Sequence, residues 1–204
     1  MNIQTGIDTR QHLYPYAFTR PATQPTAAPP QVVWFTGLSA AGKSTIANGL
    51  NAVLLARGLK TAILDGDSLR TGLCRDLGFS EQDRDENVRR VAEVAALMTD
   101  AGLTVLVALI SPTREARHYA RSIIGNDRFV EVYVEVALAV AEARDPKGLY
   151  RRARRGELAG FTGIDSPYET PVCPELHLRS DRISVAGAVG QIDAWLRRMR
   201  GVGG

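Results

Sequence analysis

The residues that most clearly indicate chemistry lie at positions 37–44, which read Gly-Leu-Ser-Ala-Ala-Gly-Lys-Ser. Two glycines separated by four residues, and then Lys43 and Ser44, are typical of a phosphate-binding loop between a strand and a helix. Glycine lets the backbone approach phosphates closely and point its N–H groups toward them. Lys43 then reaches the outer phosphates, and the Ser44 hydroxyl is a ligand for Mg²⁺. We therefore predict a site for ATP and Mg²⁺. The residues assigned to ATP are Gly37, Leu38, Ser39, Ala40, Ala41, Gly42, Lys43, Ser44 and Thr45.

A pair of acids, Asp65 and Asp67, supplies the second chemical feature. The pair follows the second apolar run, and the carboxyl ends of strands in an open parallel sheet face the ligand crevice. An acid at this edge can orient an acceptor hydroxyl or hold a metal through water. A pair of carboxylates after a strand can also simply cap the next turn.

The sequence lacks the signatures of other classes of nucleotide-dependent protein. A GTPase would carry an Asn-Lys-x-Asp sequence that reads guanine, and the chain has none. A motor or transport ATPase would end its third apolar strand in an acidic pair, whereas this chain has Ile110 and Ser111 there. The pattern favours a kinase for a small acceptor.

The elements that must position these residues alternate short apolar runs with helical stretches. Such alternation is typical of a parallel sheet with helices on both faces, that is, an α/β fold. We predict five strands, at residues 32–35, 61–64, 103–110, 129–136 and 175–178. Helices are predicted at 43–56, 81–101 and 185–199. Ser80, with Asp83 three residues later, is an N-cap signal for the second helix. The last helix has an apolar stripe of Val185, Val189, Ile192, Leu196 and Met199.

Length and composition restrict the remaining possibilities. The 204 residues are 45% hydrophobic, carry a net charge of +3 and contain no run of about 20 apolar residues. Cys74 and Cys173 fit neither a disulfide framework nor a zinc site. We expect a soluble, cytoplasmic protein with no nucleic-acid or membrane partner. Residues 1–30 contain five prolines and no periodic pattern, so we predict a flexible N-terminal tail followed by one domain at 31–204.

Several further blocks of sequence resemble adenylylsulfate kinase. They are Leu-Asp-Gly-Asp-Ser-Leu-Arg at 64–70, Asp-Leu-Gly-Phe-Ser at 76–80, Glu-Asn-Val-Arg-Arg at 86–90, Ile-Ser-Pro at 110–112, Ala-Arg-Asp-Pro-Lys-Gly-Leu-Tyr at 143–150 and Phe-Thr-Gly-Ile-Asp-Ser-Pro-Tyr-Glu at 161–169. The resemblance covers roughly residues 32–180 in the family's order. It implies the P-loop kinase fold and transfer of the ATP γ-phosphoryl group to the 3′-hydroxyl of adenosine 5′-phosphosulfate, which gives 3′-phosphoadenosine 5′-phosphosulfate in sulfate assimilation.

The resemblance also implies roles for individual residues. Phe79 and Phe161 would sandwich the acceptor's adenine, and Arg70, Arg84 and Asn87 would meet its phosphosulfate. The full set assigned to the acceptor is Asp67, Arg70, Phe79, Arg84, Asn87, Ile110, Ser111 and Phe161. Asp67 would be the catalytic acid, supported by Asp65 and Lys43, and Arg144 and Lys147 would hold ATP from a mobile lid at 144–155. A homodimer and a possible association with ATP sulfurylase are implied as well.

Ser111 allows two interpretations. Bacterial members of the family are described as having a serine here that can carry a phosphoryl group, which would make Ser111 catalytic. A serine followed by proline also fits an N-cap with proline at the first helical position, and this interpretation is favoured.

The sequence departs from the usual family pattern at Ala40, Ala41, Ser68 and Cys74. Two alternative functions remain open: a kinase for another small acceptor, such as a nucleoside monophosphate, or a nucleotide-bound regulatory subunit.

Overall fold

The computed structural model describes residues 29–201, and the predicted tail at 1–30 therefore lies almost wholly outside the described residues. Five parallel strands form one sheet, as predicted, and their order is β2-β3-β1-β4-β5. The strands are β1 Val32–Thr36, β2 Thr61–Asp65, β3 Thr104–Ala108, β4 Phe129–Glu135 and β5 Leu176–Arg179. β3 is shorter than predicted at both ends. Its registered pairing with β1 ends at Phe35 and Ala108.

The described residues contain seven helices, of which six lie between strands and the seventh follows β5. They are α1 Lys43–Ala56, α2 Gly66–Leu69, α3 Glu81–Asp100, α4 Arg114–Ile124, α5 Leu138–Arg144, α6 Leu149–Arg154 and α7 Val185–Gly201. The three helices predicted from sequence are present, and Ser80 caps α3 by accepting from the Asp83 N–H at 3.1 Å. The predicted cap at Ser111 is wrong: α4 begins later, and Thr113 is its N-cap, accepting from the Ala116 N–H at 3.2 Å.

The side chains of β1 alternate between two hydrophobic cores, one on each face of the sheet. Val33 and Phe35 belong to the core that α1 and α7 cover. Val32 and Trp34 belong to the core under α3 and α4. Both faces are therefore buried, as an all-parallel sheet requires.

The apolar stripe predicted for α7 is only partly buried. Val189, Ile192 and Leu196 lie in the core, whereas Val185 is 44% and Met199 is 52% exposed. Val185 instead lines the crevice described below. Within residues 29–201, no helix has the length and apolar character needed to cross a lipid bilayer.

Candidate active site

One crevice of about 930 Å³ runs along the carboxyl edge of the sheet. The predicted site residues that line it are Ser39, Ala40, Ala41, Gly42, Lys43, Ser44, Thr45, Asp65, Asp67, Arg70, Phe79, Arg84, Asn87, Ile110, Ser111, Arg144, Lys147 and Phe161. Gly37 and Leu38 are not part of its lining. The phosphate loop and the predicted acceptor residues therefore face a common space, although they follow different strands of the sheet.

The phosphate loop crosses closely over the sheet and then enters α1. Gly37 has φ of 144°, and a Cβ there would lie 2.3 Å from the Val134 carbonyl oxygen, so no other residue fits. Gly42 has φ of 96° just before the helix begins at Lys43. The positive end of the α1 dipole therefore points at the loop, where it favours anions. Ala40 adopts φ of 59°, a left-handed conformation that glycine adopts at lower cost.

Lys43 is the cation at the centre of this loop, and it is 8% exposed. Its ammonium group donates to the carbonyls of Gly37 at 2.9 Å and Leu38 at 2.7 Å. Burial, assisted by the nearby Lys147, lowers the pKa of Lys43 to about 7, although Asp65 acts in the opposite direction. A negatively charged ligand in the loop would favour the charged form of this amine.

Ser44 and Asp65 place two oxygen groups side by side at the mouth of the loop. The Ser44 hydroxyl donates to Asp65 Oδ2 at 2.5 Å. A hydroxyl beside a carboxylate suits Mg²⁺, which prefers oxygen ligands and keeps several waters. Asp65 Oδ1 accepts from the Asp67 N–H at 3.0 Å and so caps α2. The capping and chemical interpretations of Asp65 are therefore compatible.

Asp67 projects into the crevice, where its carboxylate forms an ion pair with the ammonium group of Lys147. Lys147 lies in the connection between α5 and α6, which faces the phosphate loop. Arg144 reaches the same loop through the Ala40 carbonyl at 3.3 Å, and it also donates to the Ser180 carbonyl at 2.9 Å. The predicted lid thus contacts both the phosphate loop and the acid.

The two phenylalanines line the same crevice but differ in their surroundings. Phe79 is 57% exposed, and the Arg70 guanidinium lies 4.4 Å from the centre of its ring. Phe161 is partly buried and packs edge-on against Tyr150 at 5.0 Å between ring centres. Phe79 therefore presents an open aromatic face, whereas Phe161 is held by the core.

Arg84 and Asn87 extend from α3 toward this aromatic pair. The Arg84 guanidinium donates to Thr162 Oγ1 at 2.6 Å, to Ser166 Oγ at 3.3 Å and to the Gly160 carbonyl. Burial and the neighbouring Arg70 lower the pKa of Arg84. The Asn87 amide oxygen is buried without a hydrogen-bond partner, although its residue lines the crevice. An unpaired buried acceptor is costly, and a ligand that donates to it would remove this cost.

Ser111 is 3% exposed and belongs to a buried network. Its hydroxyl accepts from the Trp34 indole N–H at 3.1 Å and donates to Thr36 Oγ1 at 3.0 Å. Its backbone φ is 40°, in the left-handed region, and this departs from the extended backbone typical of an N-cap. The neighbouring Ile110 also lines the crevice.

Sequence reasoning missed the wall of the crevice beyond the phosphate loop. This wall consists of Ser180, Ile183, Ser184, Val185 and Ala188. These residues follow β5 at the carboxyl edge, so the rule that found Asp65 and Asp67 would also have pointed to them. Thr162 and Ser166, the partners of Arg84, were also missed because a hydroxyl in a loop carries no distinctive signal.

The fold and this crevice define the chain as a P-loop phosphotransferase. Comparison with known proteins narrows the class, because the profile of the family described as adenylylsulphate kinase matches residues 29–179. The Mycobacterium tuberculosis APS kinase CysC, solved in complex with AMPPNP and APS, is 46% identical over 84% of this chain and 99% of its own, with a TM-score of 0.80. The chain belongs to the adenylylsulfate kinase family.

Other solved structures agree with this assignment. The protein APE1195 is 36% identical over 84% of this chain and 97% of its own, with a TM-score of 0.78. A hexameric APS kinase from Thiobacillus denitrificans is 34% identical over 83% of this chain but only 29% of its own, with a TM-score of 0.63. A gluconokinase from Sinorhizobium meliloti, at 17% identity and a TM-score of 0.54, shares the fold alone.

Proposed function

We propose that this enzyme transfers the γ-phosphoryl group of ATP to the 3′-hydroxyl of adenosine 5′-phosphosulfate, giving 3′-phosphoadenosine 5′-phosphosulfate. The observation that carries the proposal is that the phosphate loop, the acid Asp67 and the exposed ring of Phe79 line one crevice. The related Mycobacterium tuberculosis enzyme in complex with AMPPNP and APS supports this choice of substrates.

On the ATP side, the chain's own groups neutralise and orient the triphosphate. Backbone N–H groups of the loop and the α1 dipole attract the phosphates, and Lys43 leaves its two carbonyl partners to meet the outer ones. Ser44 and Asp65 would hold Mg²⁺, which supplies positive charge next to the transferred group. Arg144 contacts both the phosphate loop and the β5–α7 connection, and we assign it to ATP binding on that side of the crevice.

On the acceptor side, flat and cationic groups match an adenine joined to a phosphosulfate. Phe79 and Phe161 offer aromatic surfaces for the base, and Asn87 offers its unpaired amide oxygen. Arg70 and Arg84 are permanently charged donors suited to oxyanions. Ile110 and Ser111 form the floor between these groups and the phosphate loop.

Asp67 is proposed to orient the acceptor hydroxyl and to accept its proton as transfer proceeds. Its present partner, Lys147, lies in the proposed lid. When the lid closes over both substrates, the Lys147 ammonium group moves from the Asp67 carboxylate to the phosphates of ATP. Closure also excludes water, which would otherwise compete as the phosphoryl acceptor.

Several broader assignments belong to the same proposal. The enzyme uses Mg²⁺, acts in the cytoplasm and forms a homodimer, and association with ATP sulfurylase is a further possibility to test by co-purification. The domain bounds predicted from the sequence, a tail at 1–30 and a kinase domain at 31–204, are part of the same proposal. Size-exclusion chromatography with light scattering distinguishes the dimer from other states, including a hexamer such as that of the Thiobacillus denitrificans relative.

A coupled assay with ATP, Mg²⁺ and adenosine 5′-phosphosulfate tests the proposal. We expect turnover that falls by more than about 100-fold in Lys43→Ala and Asp67→Ala, because each removes a group that acts in the transition state. Circular dichroism should show that both variants remain folded. Efficient phosphorylation of a nucleoside monophosphate, with none of the sulfated nucleotide, would contradict the proposed acceptor.

A further inference from the structure

A buried arginine behind the crevice connects two segments of its acceptor wall. Arg117 lies on α4, and its side chain is 4% exposed. Its terminal nitrogens donate to the Ser111 carbonyl at 2.7 Å and to the Glu169 carbonyl at 2.6 Å. The remaining nitrogen, Nε, lies 2.9 Å from a Glu131 carboxylate oxygen. The guanidinium therefore donates to two carbonyls at once and forms an ion pair with Glu131, although Glu131 Oε1 accepts no well-aligned hydrogen bond. The flat, forked guanidinium can span both carbonyls, whereas a lysine ammonium is a single point of charge.

The first of these carbonyls belongs to a strained turn in the floor of the crevice. Ser111 has φ of 40°, which costs energy for a residue with a side chain and persists only where neighbours enforce it. The bond from Arg117 holds its carbonyl, and the hydroxyl bonds to Trp34 and Thr36 hold its side chain.

The second carbonyl ends the segment 161–169, which carries Phe161 into the crevice. The Glu169 N–H donates to the Pro112 carbonyl at 2.8 Å, so this segment is joined to the same turn at two points. The Tyr168 ring lies 5.6 Å from the Arg117 guanidinium, and its hydroxyl is 2.9 Å from Thr36 Oγ1.

The same segment also fixes a charged group of the acceptor side. Thr162 and Ser166 accept hydrogen bonds from Arg84. The position of the Arg84 guanidinium therefore depends on where the segment lies, and the segment's distal end is held by Arg117.

We propose that Arg117 is a positioning residue for the acceptor: it fixes the segment 161–169 against the Ser111 turn and thereby sets where Arg84 and Phe161 meet the phosphosulfate nucleotide. The inference rests on the proposed function for the identity of the acceptor. It requires no contact between Arg117 and substrate, because Arg117 does not line the crevice.

The variant Arg117→Lys and the matched control Arg121→Lys separate positioning from general stability. Arg121 lies one turn further along α4 and makes a bidentate pair with Glu175 at 2.9 and 2.8 Å. Its hydrogen bonds reach neither Ser111 nor the segment 161–169. Both variants lose a paired guanidinium, buried at Arg117 and partly buried at Arg121, so both should unfold at lower temperature.

Only Arg117→Lys is expected to change acceptor kinetics. We expect its KM for adenosine 5′-phosphosulfate to rise by about tenfold or more, the effect of misplacing one charge-assisted hydrogen bond, while the KM for ATP changes less than about twofold. Arg121→Lys should keep both KM values. Equal KM changes in the two variants, or an unchanged acceptor KM in Arg117→Lys, would overturn the inference.

Amide hydrogen exchange supplies a readout that needs no substrate. The N–H groups of Gly163 and Glu169, both hydrogen-bonded within the described structure, should exchange about tenfold faster in Arg117→Lys and unchanged in Arg121→Lys. If the wild-type chain failed to phosphorylate the sulfated nucleotide, the proposed function would be wrong. Hydrogen exchange alone would then test whether Arg117 fixes the segment 161–169 against the Ser111 turn. Equal protection in both variants would refute that role.

Discussion

Lys43 is a buried amine whose preferred charge depends on what occupies the phosphate loop. In the free enzyme it has two carbonyl partners, and its pKa lies near 7 because burial disfavours the charged form. Phosphates beside the amine favour the charged form and so raise the pKa on binding. Between these two pKa values the free amine is largely neutral and the bound amine is charged.

Binding of ATP should therefore take up a proton above pH 7. We expect uptake at pH 8.5, where the free amine is mostly neutral, and little at pH 6, where it is already charged. Affinity for ATP should weaken as the pH rises above about 7, because the free enzyme must first be protonated. Calorimetry in two buffers of different ionisation enthalpy measures the uptake. Lys43→Arg stays charged at every pH and should show none.

Phe79 leaves more than half of its surface exposed within the crevice, where a ligand can cover it. Phe79→Ala should leave the free energy of unfolding within about 0.5 kcal/mol, yet raise the KM for adenosine 5′-phosphosulfate by about tenfold or more. The control Leu97→Ala removes another exposed apolar side chain, 48% exposed on α3, and should change neither quantity. A large stability loss with unchanged KM would assign Phe79 to packing.

Ser111 has its hydroxyl engaged by Trp34 and Thr36, so we expect a structural role. Ser111→Ala leaves the buried indole N–H without its acceptor and should lower the free energy of unfolding by about 1–3 kcal/mol. Turnover should persist, because direct transfer needs no phosphoserine. Loss of turnover without loss of stability, together with phosphoserine detected by mass spectrometry in the wild type, would support the carrier role.

At the scale of elements, α4 determines the back wall of the acceptor side. Its N-cap Thr113 lies three residues after the crevice floor at Ile110, and the helix carries the buried Arg117. Sequence reasoning expected a helix to start after Ser111 but gave no bounds for it. Its buried face consists of two alanines, an isoleucine and a charged residue, so its apolar pattern is weak.

Thr113→Ala tests where α4 begins. The substitution removes the acceptor for the Ala116 N–H and should lower the free energy of unfolding by about 1 kcal/mol in urea titrations. Thr113→Asp supplies another good capping side chain and should restore most of this loss. If Thr113→Ala had the same free energy of unfolding as the wild type, Thr113 would not be the N-cap that stabilises α4.

At the scale of the whole molecule, the crevice joins segments that are distant in sequence. Its described lining begins at Ser39 and ends at Ala188. The two cores on which it rests lie between Val32 and Leu196. Every residue that we assign to the proposed reaction lies after position 30.

A chain truncated to residues 29–204 should therefore fold and turn over like the full chain. We expect its kcat and both KM values within about twofold, and a Tm within about 2 °C, because no described core contact is removed. Light scattering would detect any change of oligomeric state. A fall in activity or a change in assembly would give residues 1–28 a function beyond a tail.

Much of the fold and site was predictable because the strongest signals are local. The spacing around Lys43, the five apolar runs and the acids at the end of β2 each follow from a few neighbouring residues. The roles of Phe79, Arg84 and Asn87 came from resemblance, since an aromatic ring or an arginine on a helix has no local pattern of its own.

The sequence alone therefore determined the phosphate loop, the parallel sheet and the class of chemistry, because glycine conformation and apolar periodicity act over short ranges. The tertiary structure decided how Arg117 joins the Ser111 turn to Glu169, and that Thr113, not Ser111, caps α4. These features depend on groups from different elements meeting in space. Only the packing of α3 and α4 against the sheet brings them together.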